Sequence, residues 1–437
     1  MNNKEKLIKK IQDKSAVIGV VGLGYVGLPL AVEKAKAGYT VVGFDVQEEK
    51  VDAVNQGHNY IGDVVDEELS NLVKQKKLQA TIDYSMIKKV DAVAICVPTP
   101  LDLYKQPDIS YVVSSTKSVA KYLHEGMLVV LESTTYPGTT EEVLKPILEE
   151  TGLKCGEDFF LAFSPERVDP GNKIYKTKNT PKVVGGVTKD CTEVAAELYR
   201  EVLAGDVYTV SSPAVAEMEK ILENTFRNIN IGLVNEMAIL CKRMGIDVWE
   251  VIDAAKTKPY GFMAFYPGPG LGGHCIPLDP FYLEWKAKEY DYHTKLIEAS
   301  GEINDRMPEF VVDNAIKILN SRKKAMNGSK VLLLGLAYKN DIDDYRESPS
   351  FKVIEHLEEN GAEVLVNDPY CPKSKYRGKI YYSVDWEDVI DDADLVIITT
   401  NHSCYDYEQI VERAKVVYDT RNATKDVVNN REKIYKL

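Results

Sequence analysis

The seven cysteines, at positions 96, 155, 191, 241, 275, 371 and 404, include no CxxC pair. An odd, scattered set excludes a disulfide framework and a cysteine-built zinc site, so no metal is expected. Long apolar runs are missing too: none approaches the ~18 residues that span a bilayer. The two long uncharged stretches, 15–32 and 259–278, are broken by glycines and prolines. The first residues, MNNKEKLIKKIQDK, carry no apolar core of a secretory leader. Positive charge is in deficit, with 54 Lys and Arg against 67 Asp and Glu and a formal charge of −13. A nucleic-acid partner wants a basic face, so that class is disfavoured, and nothing suggests a membrane partner. The expectation is a reduced, cytoplasmic protein.

What is present is patterned. At roughly 100–200 residues per domain, 437 residues predict two to four domains. Short apolar runs at 17–21, 40–45, 92–97, 128–131 and 159–163 read as buried strands, separated by helical patterns such as 29–37 and 141–150. That alternation predicts a parallel sheet with helices on both faces. Residues 213–244 and 292–324 read as long helices, the second started, kinked or broken by Pro308. Strand-like runs resume at 330–335, 363–367, 395–399 and 416–419. The expected fold is α/β: two doubly wound, Rossmann-like domains joined by a helical central region. The divisions fall at 1–205, 206–324 and 325–437.

Gly22-Leu23-Gly24-Tyr25-Val26-Gly27 lies between a strand and a helix. In that context Gly22 permits the tight turn, Gly24 lets a pyrophosphate approach the backbone, and Gly27 lets helix and strand pack closely. The helix N-terminus then faces the phosphates. Asp45 ends the next strand and suits the adenosine ribose, with no Arg beside it, which favours NAD over NADP. Pro98 and Thr99 follow one strand, and Ser133 and Thr134 the next, where ligands of such sheets bind. The second domain lacks the phosphate-binding glycines, so its ligand must be held differently.

Residues 267–280, PGPGLGGHCIPLDP, pack four glycines and four prolines into fourteen positions. A cysteine in so turn-rich a loop reads as a nucleophile. His274 is adjacent and can equally point away, and Asp279 follows four residues later. Glu217, Lys220 and Asn224 share one helical face, a spacing that also suits a solvated surface.

These residues carry a resemblance. GLGYVGLPLA at 22–31, VPTP at 97–100, ESTTYPGTT at 132–140, SPERVDPG at 164–171, EMEKILENTFRNINI at 217–231, GPGLGGHCIPLDP at 268–280 and GLAYKNDIDDYRESPS at 335–350 resemble the UDP-glucose/GDP-mannose dehydrogenase family over nearly the whole chain. The resemblance implies NAD-dependent, four-electron oxidation of the C6 hydroxymethyl of a UDP-hexose to a uronic acid. Cys275 resembles the nucleophile that forms a thiohemiacetal and then a thioester. Lys220 and Asn224 resemble the pair stabilising an oxyanion at C6, and Asp279 the carboxylate paired with Lys220 and a water. Glu166 and Thr134 resemble residues that position water for thioester hydrolysis. Arg167, Gly272, Lys339 and Arg346 are expected to contact the nucleotide sugar, and Tyr25 and Val26 the cofactor. Pro170 stands where the UDP-glucose members carry a second glutamate, which resembles the branch acting on UDP-N-acetylhexosamines. Within it the expected substrate is UDP-N-acetylglucosamine, with UDP-N-acetylmannosamine or UDP-glucose as alternatives. A two-electron 3-hydroxyacid-type dehydrogenase would need neither Cys275 nor the second doubly wound domain. A non-catalytic nucleotide-binding protein would not need the reactive groups. Apolar residues near the centre of the helical region, Ile229, Ile231, Leu233 and Val234, suggest a homodimer or higher oligomer.

Overall fold

A computed structural model describes the chain at every residue except Asp63, Leu103, Pro170, Gly171, Lys173 and His274. Among the described residues, eight strands form one sheet: β1 (Val17–Val21), β2 (Thr40–Phe44), β3 (Leu78–Thr81), β4 (Ala92–Ile95), β5 (Leu128–Leu131), β6 (Phe160–Phe163), β7 (Lys182–Gly186) and β8 (Val207–Val210). Their order is β3-β2-β1-β4-β5-β6-β7-β8. Every pairing is parallel except β6 with β7. The strands are apolar at consecutive positions because both faces are covered. Ile18, Val20, Ala92, Ala94, Leu128 and Val130 enter one core, while Val21, Val93, Ile95, Val129 and Leu131 enter the other. Each fully buried Val, Leu or Ile among them contributes about 1.5–3 kcal/mol.

A second sheet repeats the plan with β9 (Lys330–Leu334), β10 (Glu363–Asn367), β13 (Leu395–Ile398), β14 (Val417–Asp419) and β15 (Ile434–Lys436), in the order β10-β9-β13-β14-β15 and all parallel. A hairpin of β11 (Lys373–Tyr376) and β12 (Lys379–Tyr382) stands apart. The expected α/β class with two doubly wound sheets is the observed one. The chain divides into two compact units: Met1–Glu223 with Phe281–Tyr292, and Asn224–Pro280 with His293–Leu437. Among the described residues no helix is long and apolar enough to cross a membrane.

The Pro213–Met244 helix has the expected bounds. The Lys295–Ser321 helix runs unbroken through Pro308. The ring removes an N–H, leaving the Asn304 carbonyl without its partner four residues on. The chain at Gly270 passes that carbonyl so closely that an added Cβ would lie 3.4 Å from it. Residues 141–150 begin as a π-type segment, Thr140–Leu144, and become α-helical only at Lys145–Glu149, where Pro146 occupies the first turn.

Candidate functional site

The glycine turn has the form a dinucleotide needs. Gly22 has φ 88°, and a Cβ there would lie 2.5 Å from the Cys96 carbonyl oxygen. Gly27 is tighter: its Cβ would sit 1.8 Å from the Gly22 carbonyl oxygen. At Gly24 a Cβ meets nothing within 4 Å, which leaves open space in front of the turn. The helix Gly27–Lys36 starts from Val26 without a side-chain cap. Its first amides are therefore not taken by a capping side chain, as anion binding there requires. Asp45 accepts from the Leu23 amide at 2.8 Å and the Gln47 amide at 3.0 Å. Lys50, which sequence reasoning passed over, stands 3.8 Å from the same carboxylate. Tyr25 is exposed at the turn. Open amides, an unfilled space and an anchored carboxylate together fit NAD.

The hydroxyls expected beside the cofactor brace the strand ends. Ser133 accepts from the Val97 amide at 2.9 Å and donates to the Val97 carbonyl at 2.7 Å. Thr99, after Pro98, donates to the Thr134 carbonyl at 2.7 Å. The neighbouring Thr135 is buried, and its hydroxyl has no partner among the described residues. Thr134, the residue expected from sequence, is half-buried beside it.

Glu166 follows β6. One of its oxygens accepts from the Arg167 and Val168 amides, both at 2.8 Å, and the other lies 3.6 Å from the Lys182 ammonium. Arg167 pairs with Glu223, approaches Glu219 at 3.4 Å and donates to the Pro181 carbonyl at 3.0 Å. Burial and the nearby Glu223 push Glu219 up to about 7. Pro170 and His274 lie outside the described residues.

Glu217, Lys220 and Asn224 do share a helical face, and it is a buried one, not a solvated one. Glu217 is a staple: it accepts from the Gly138 amide at 2.6 Å and from the Thr140 amide and hydroxyl at 2.9 and 2.7 Å. Asn224 donates to Asp279 at 2.6 Å. Asp279 in turn opens a helix, its amide bonded to the Cys275 carbonyl at 2.9 Å. Asn228 donates to the Ile276 carbonyl at 3.0 Å. Asn224 and Asn228 on one helix, and Asp279 at the start of another, thus brace the loop that carries the exposed Cys275.

The glycines of that loop are needed for close approach. A Cβ on Gly272 would lie 2.5 Å from Tyr338 Cβ, and Gly273, at φ 86°, faces the Tyr338 ring. The Cys275 loop therefore rests on the segment that carries Lys339 and Arg346. Arg346 is held by both oxygens of Asp344, at 2.9 and 2.7 Å. Gly268 covers Arg421, whose Nη1 is 2.4 Å from where a Cβ would be. Arg421 donates to the Thr399 carbonyl at 2.9 Å, and burial pushes it down to about 10. Sequence reasoning missed Arg421. The available signal was its place just beyond β14, where ligands of doubly wound sheets bind.

Three family models match in succession, all of the UDP-glucose/GDP-mannose dehydrogenase family: the NAD binding domain at residues 16–203, the central domain at 214–306 and the UDP binding domain at 332–426. The chain is 41% identical over 358 residues to a UDP-N-acetyl-D-glucosamine 6-dehydrogenase of Pseudomonas aeruginosa, covering 82% of this chain and 83% of that one. It is 37% identical over 415 residues to a UDP-N-acetyl-D-mannosamine dehydrogenase of Pyrococcus horikoshii, covering 94% and 96%. Among solved structures, a UDP-D-ManNAc dehydrogenase from Pyrococcus horikoshii superposes with a TM-score of 0.88 at 35% identity, over 96% of this chain and 98% of that one.

Proposed function

The chain belongs to the UDP-glucose/GDP-mannose dehydrogenase family, and from that premise we propose that its NAD-dependent nucleotide-sugar 6-dehydrogenase reaction runs through a thioester on Cys275. The observation that carries the proposal is the exposed Cys275 on a loop of tightly packed glycines, with the Asn224–Asp279 hydrogen bond beneath it. When bound, NAD⁺ supplies the hydride acceptor, one equivalent for each of two oxidations. Gly22, Gly24, Gly27 and Asp45 hold it. An aldehyde gives up hydride poorly until a nucleophile adds, so Cys275 attacks the C6 aldehyde and forms a C–S bond. Lys220 and Asn224 stabilise the oxyanion; Asn224 spends one amide hydrogen on Asp279 and keeps the other to donate. After the second oxidation Glu166, with Thr134 and its neighbour Thr135, places the water that releases the acid. Lys339, Arg346 and Arg421 hold the nucleotide, and Arg167 braces Glu219 and Glu223.

The substrate is a UDP-N-acetylhexosamine, UDP-N-acetylglucosamine first, with UDP-N-acetylmannosamine the second reading because the relatives' names divide between the two. Turnover of the two N-acetyl sugars and UDP-glucose, followed by NADH, tests this. Two NADH per sugar, with an N-acetyl sugar preferred by about tenfold or more in kcat/KM, is expected. One NADH per sugar with free aldehyde, or a Cys275→Ala enzyme with unimpaired turnover, overturns the mechanism.

The active form is at least a dimer built through the central helix. Phe226, Leu233 and Leu240 are exposed at spacings of seven, with Leu222 and Met244 continuing the stripe. Of the four apolar residues chosen from sequence, Leu233 is exposed, Ile229 and Ile231 are half-buried, and Val234 belongs to a local core with Trp249. Sedimentation of Leu233→Glu as a monomer, against a dimeric parent, is the expected result.

A further inference from the structure

We propose that Lys182 is a positioning residue for thioester hydrolysis, fixing Glu166 from a buried charged cluster. The proposal rests on the reading that Cys275 forms a thioester. Its basis is topological first. Because β7 runs antiparallel to β6, its first residue, Lys182, comes to the carboxyl edge of the sheet. Glu132 leaves β5 at that same edge, and Glu166 leaves β6 there. Ligands of such sheets bind along this edge.

The cluster is built, not incidental. Lys182 and Glu132 are buried, and their charged atoms are 2.8 Å apart. The second oxygen of Glu132 accepts from the Tyr199 hydroxyl at 2.5 Å and faces the fully buried Lys34 at 3.7 Å. Both ammoniums lie against the Tyr199 ring, at 5.3 Å for Lys182 and 5.6 Å for Lys34. Burial pushes Lys182 down, but Glu132 and Glu166 outweigh it and leave the ammonium raised. Lys34, whose ammonium has no hydrogen-bond partner among the described residues, is pushed down by burial.

Buried ion pairs seldom stabilise a fold better than packed apolar side chains do. A cluster at the ligand edge, ending on Glu166, has a second use. With one Glu166 oxygen fixed by two amides and the other by Lys182, the carboxylate has one orientation. In hydrolysis, water attacks the acyl carbon, one water proton passes to Glu166, the C–S bond breaks and Cys275 leaves as thiolate. The acid product then ionises. Loosening Glu166 slows this step and leaves the two oxidations untouched.

Rapid mixing with UDP-N-acetylglucosamine and NAD⁺, or with UDP-N-acetylmannosamine if that turns over faster, tests the idea, with intact-mass analysis after acid quench. For Lys182→Met we expect two NADH per site at a rate within about threefold of the parent, then steady turnover lowered about 30-fold, with acylated Cys275 accumulating. Lys182→Arg should recover most of the loss. If Lys182→Met does not fold, Tyr199→Phe should accumulate the same adduct at a smaller, about threefold, effect. Slowing of the oxidations and hydrolysis together, or no accumulation in either variant, overturns the assignment of Lys182. Absence of any Cys275 adduct at every quench time, in the parent and variants alike, overturns instead the thioester reading on which it rests.

Discussion

At the end of β1 Gly22 has φ 88°, and at the end of β9 Gly335 has φ 100°. Each glycine donates back across the sheet, Gly22 to the Phe44 carbonyl at 2.7 Å and Gly335 to the Asn367 carbonyl at 2.8 Å. Each is followed by a leucine whose amide bonds an aspartate at the end of the next strand, Leu23 to Asp45 and Leu336 to Asp368. Beyond this the two copies part. The first runs straight into a helix at Gly27, without a side-chain cap. The second has Ala337 and Asn340 where the first has Gly24 and Gly27, and its helix waits until Pro349, capped by Ser348. The intervening loop carries Lys339 and Arg346. The second aspartate is also closed off: Asp368 takes the amides of Leu336, Ala337, Tyr370 and Cys371 and the His402 imidazole at 3.0 Å. On the proposed reading, one framework would offer an anion helix amides without a side-chain cap, and the other side-chain cations on a loop. The match of the first to an NAD binding domain and of the second to a UDP binding domain follows that difference.

Exchanging the residues at which the copies part should have very unequal consequences. Gly27→Asn forces a Cβ onto the Gly22 carbonyl, so we expect loss of NAD binding and destabilisation by about 3 kcal/mol or more, seen by calorimetry and cofactor titration. Asn340→Gly, at an exposed position, should change stability by less than about 1 kcal/mol. Unequal ligand loss is the next test. Lys339→Ala with Arg346→Ala should weaken UDP binding about 100-fold by removing charge-assisted bonds, while the NAD affinity, measured in parallel, stays within about twofold. Equal weakening of both ligands would contradict separate sites.

The smallest effects separate the two aspartates. Asp45→Asn should weaken NAD about tenfold and cost about 1 kcal/mol in unfolding, because the nitrogen that replaces one oxygen cannot accept from the Leu23 or Gln47 amide. Asp368→Asn should leave NAD untouched and cost about 2 kcal/mol, because an amide nitrogen cannot accept from the buried N–H groups. The second cost depends on pH. Burial pushes Asp368 up, but the His402 bond and the amides outweigh it and hold the carboxyl below its ordinary 3.8. A depressed folded value stabilises above the unfolded pKa and loses that contribution as pH falls through the folded one. The difference between parent and Asp368→Asn in urea unfolding should therefore be full at pH 7 and shrink in acid, below about pH 4.

The strands with consecutive apolar residues were legible because two buried faces leave no polar alternation. β3, β7 and β8 were not: Leu78-Gln79-Ala80-Thr81 alternates, and β8 is half-exposed at the sheet edge. The glycine turn and the Cys275 loop could be read locally, since backbone approach dictates glycine at fixed places. Arg421 offered only its place just beyond β14, because its cover, Gly268, lies far away in sequence. Lys182 could not be read locally, since it stands in the site region only because one strand reverses direction. Lys34 sits within an apolar helical run, where sequence offers no sign of a buried partner more than ninety residues on.

The segment Phe281–Tyr292 belongs to the first compact unit although the chain has by then already laid down Asn224–Pro280 of the second. Tyr282 from this segment packs with Tyr136 and Ile221 and donates to the Thr99 carbonyl. During synthesis, then, the nascent first unit waits on the ribosome with that aromatic pocket unfilled until residues past 280 emerge. A gene fragment stopped near residue 205 would encode the glycine turn yet leave the pocket open, and separate expression of the halves calls for a split that carries 281–292 with the N-terminal piece.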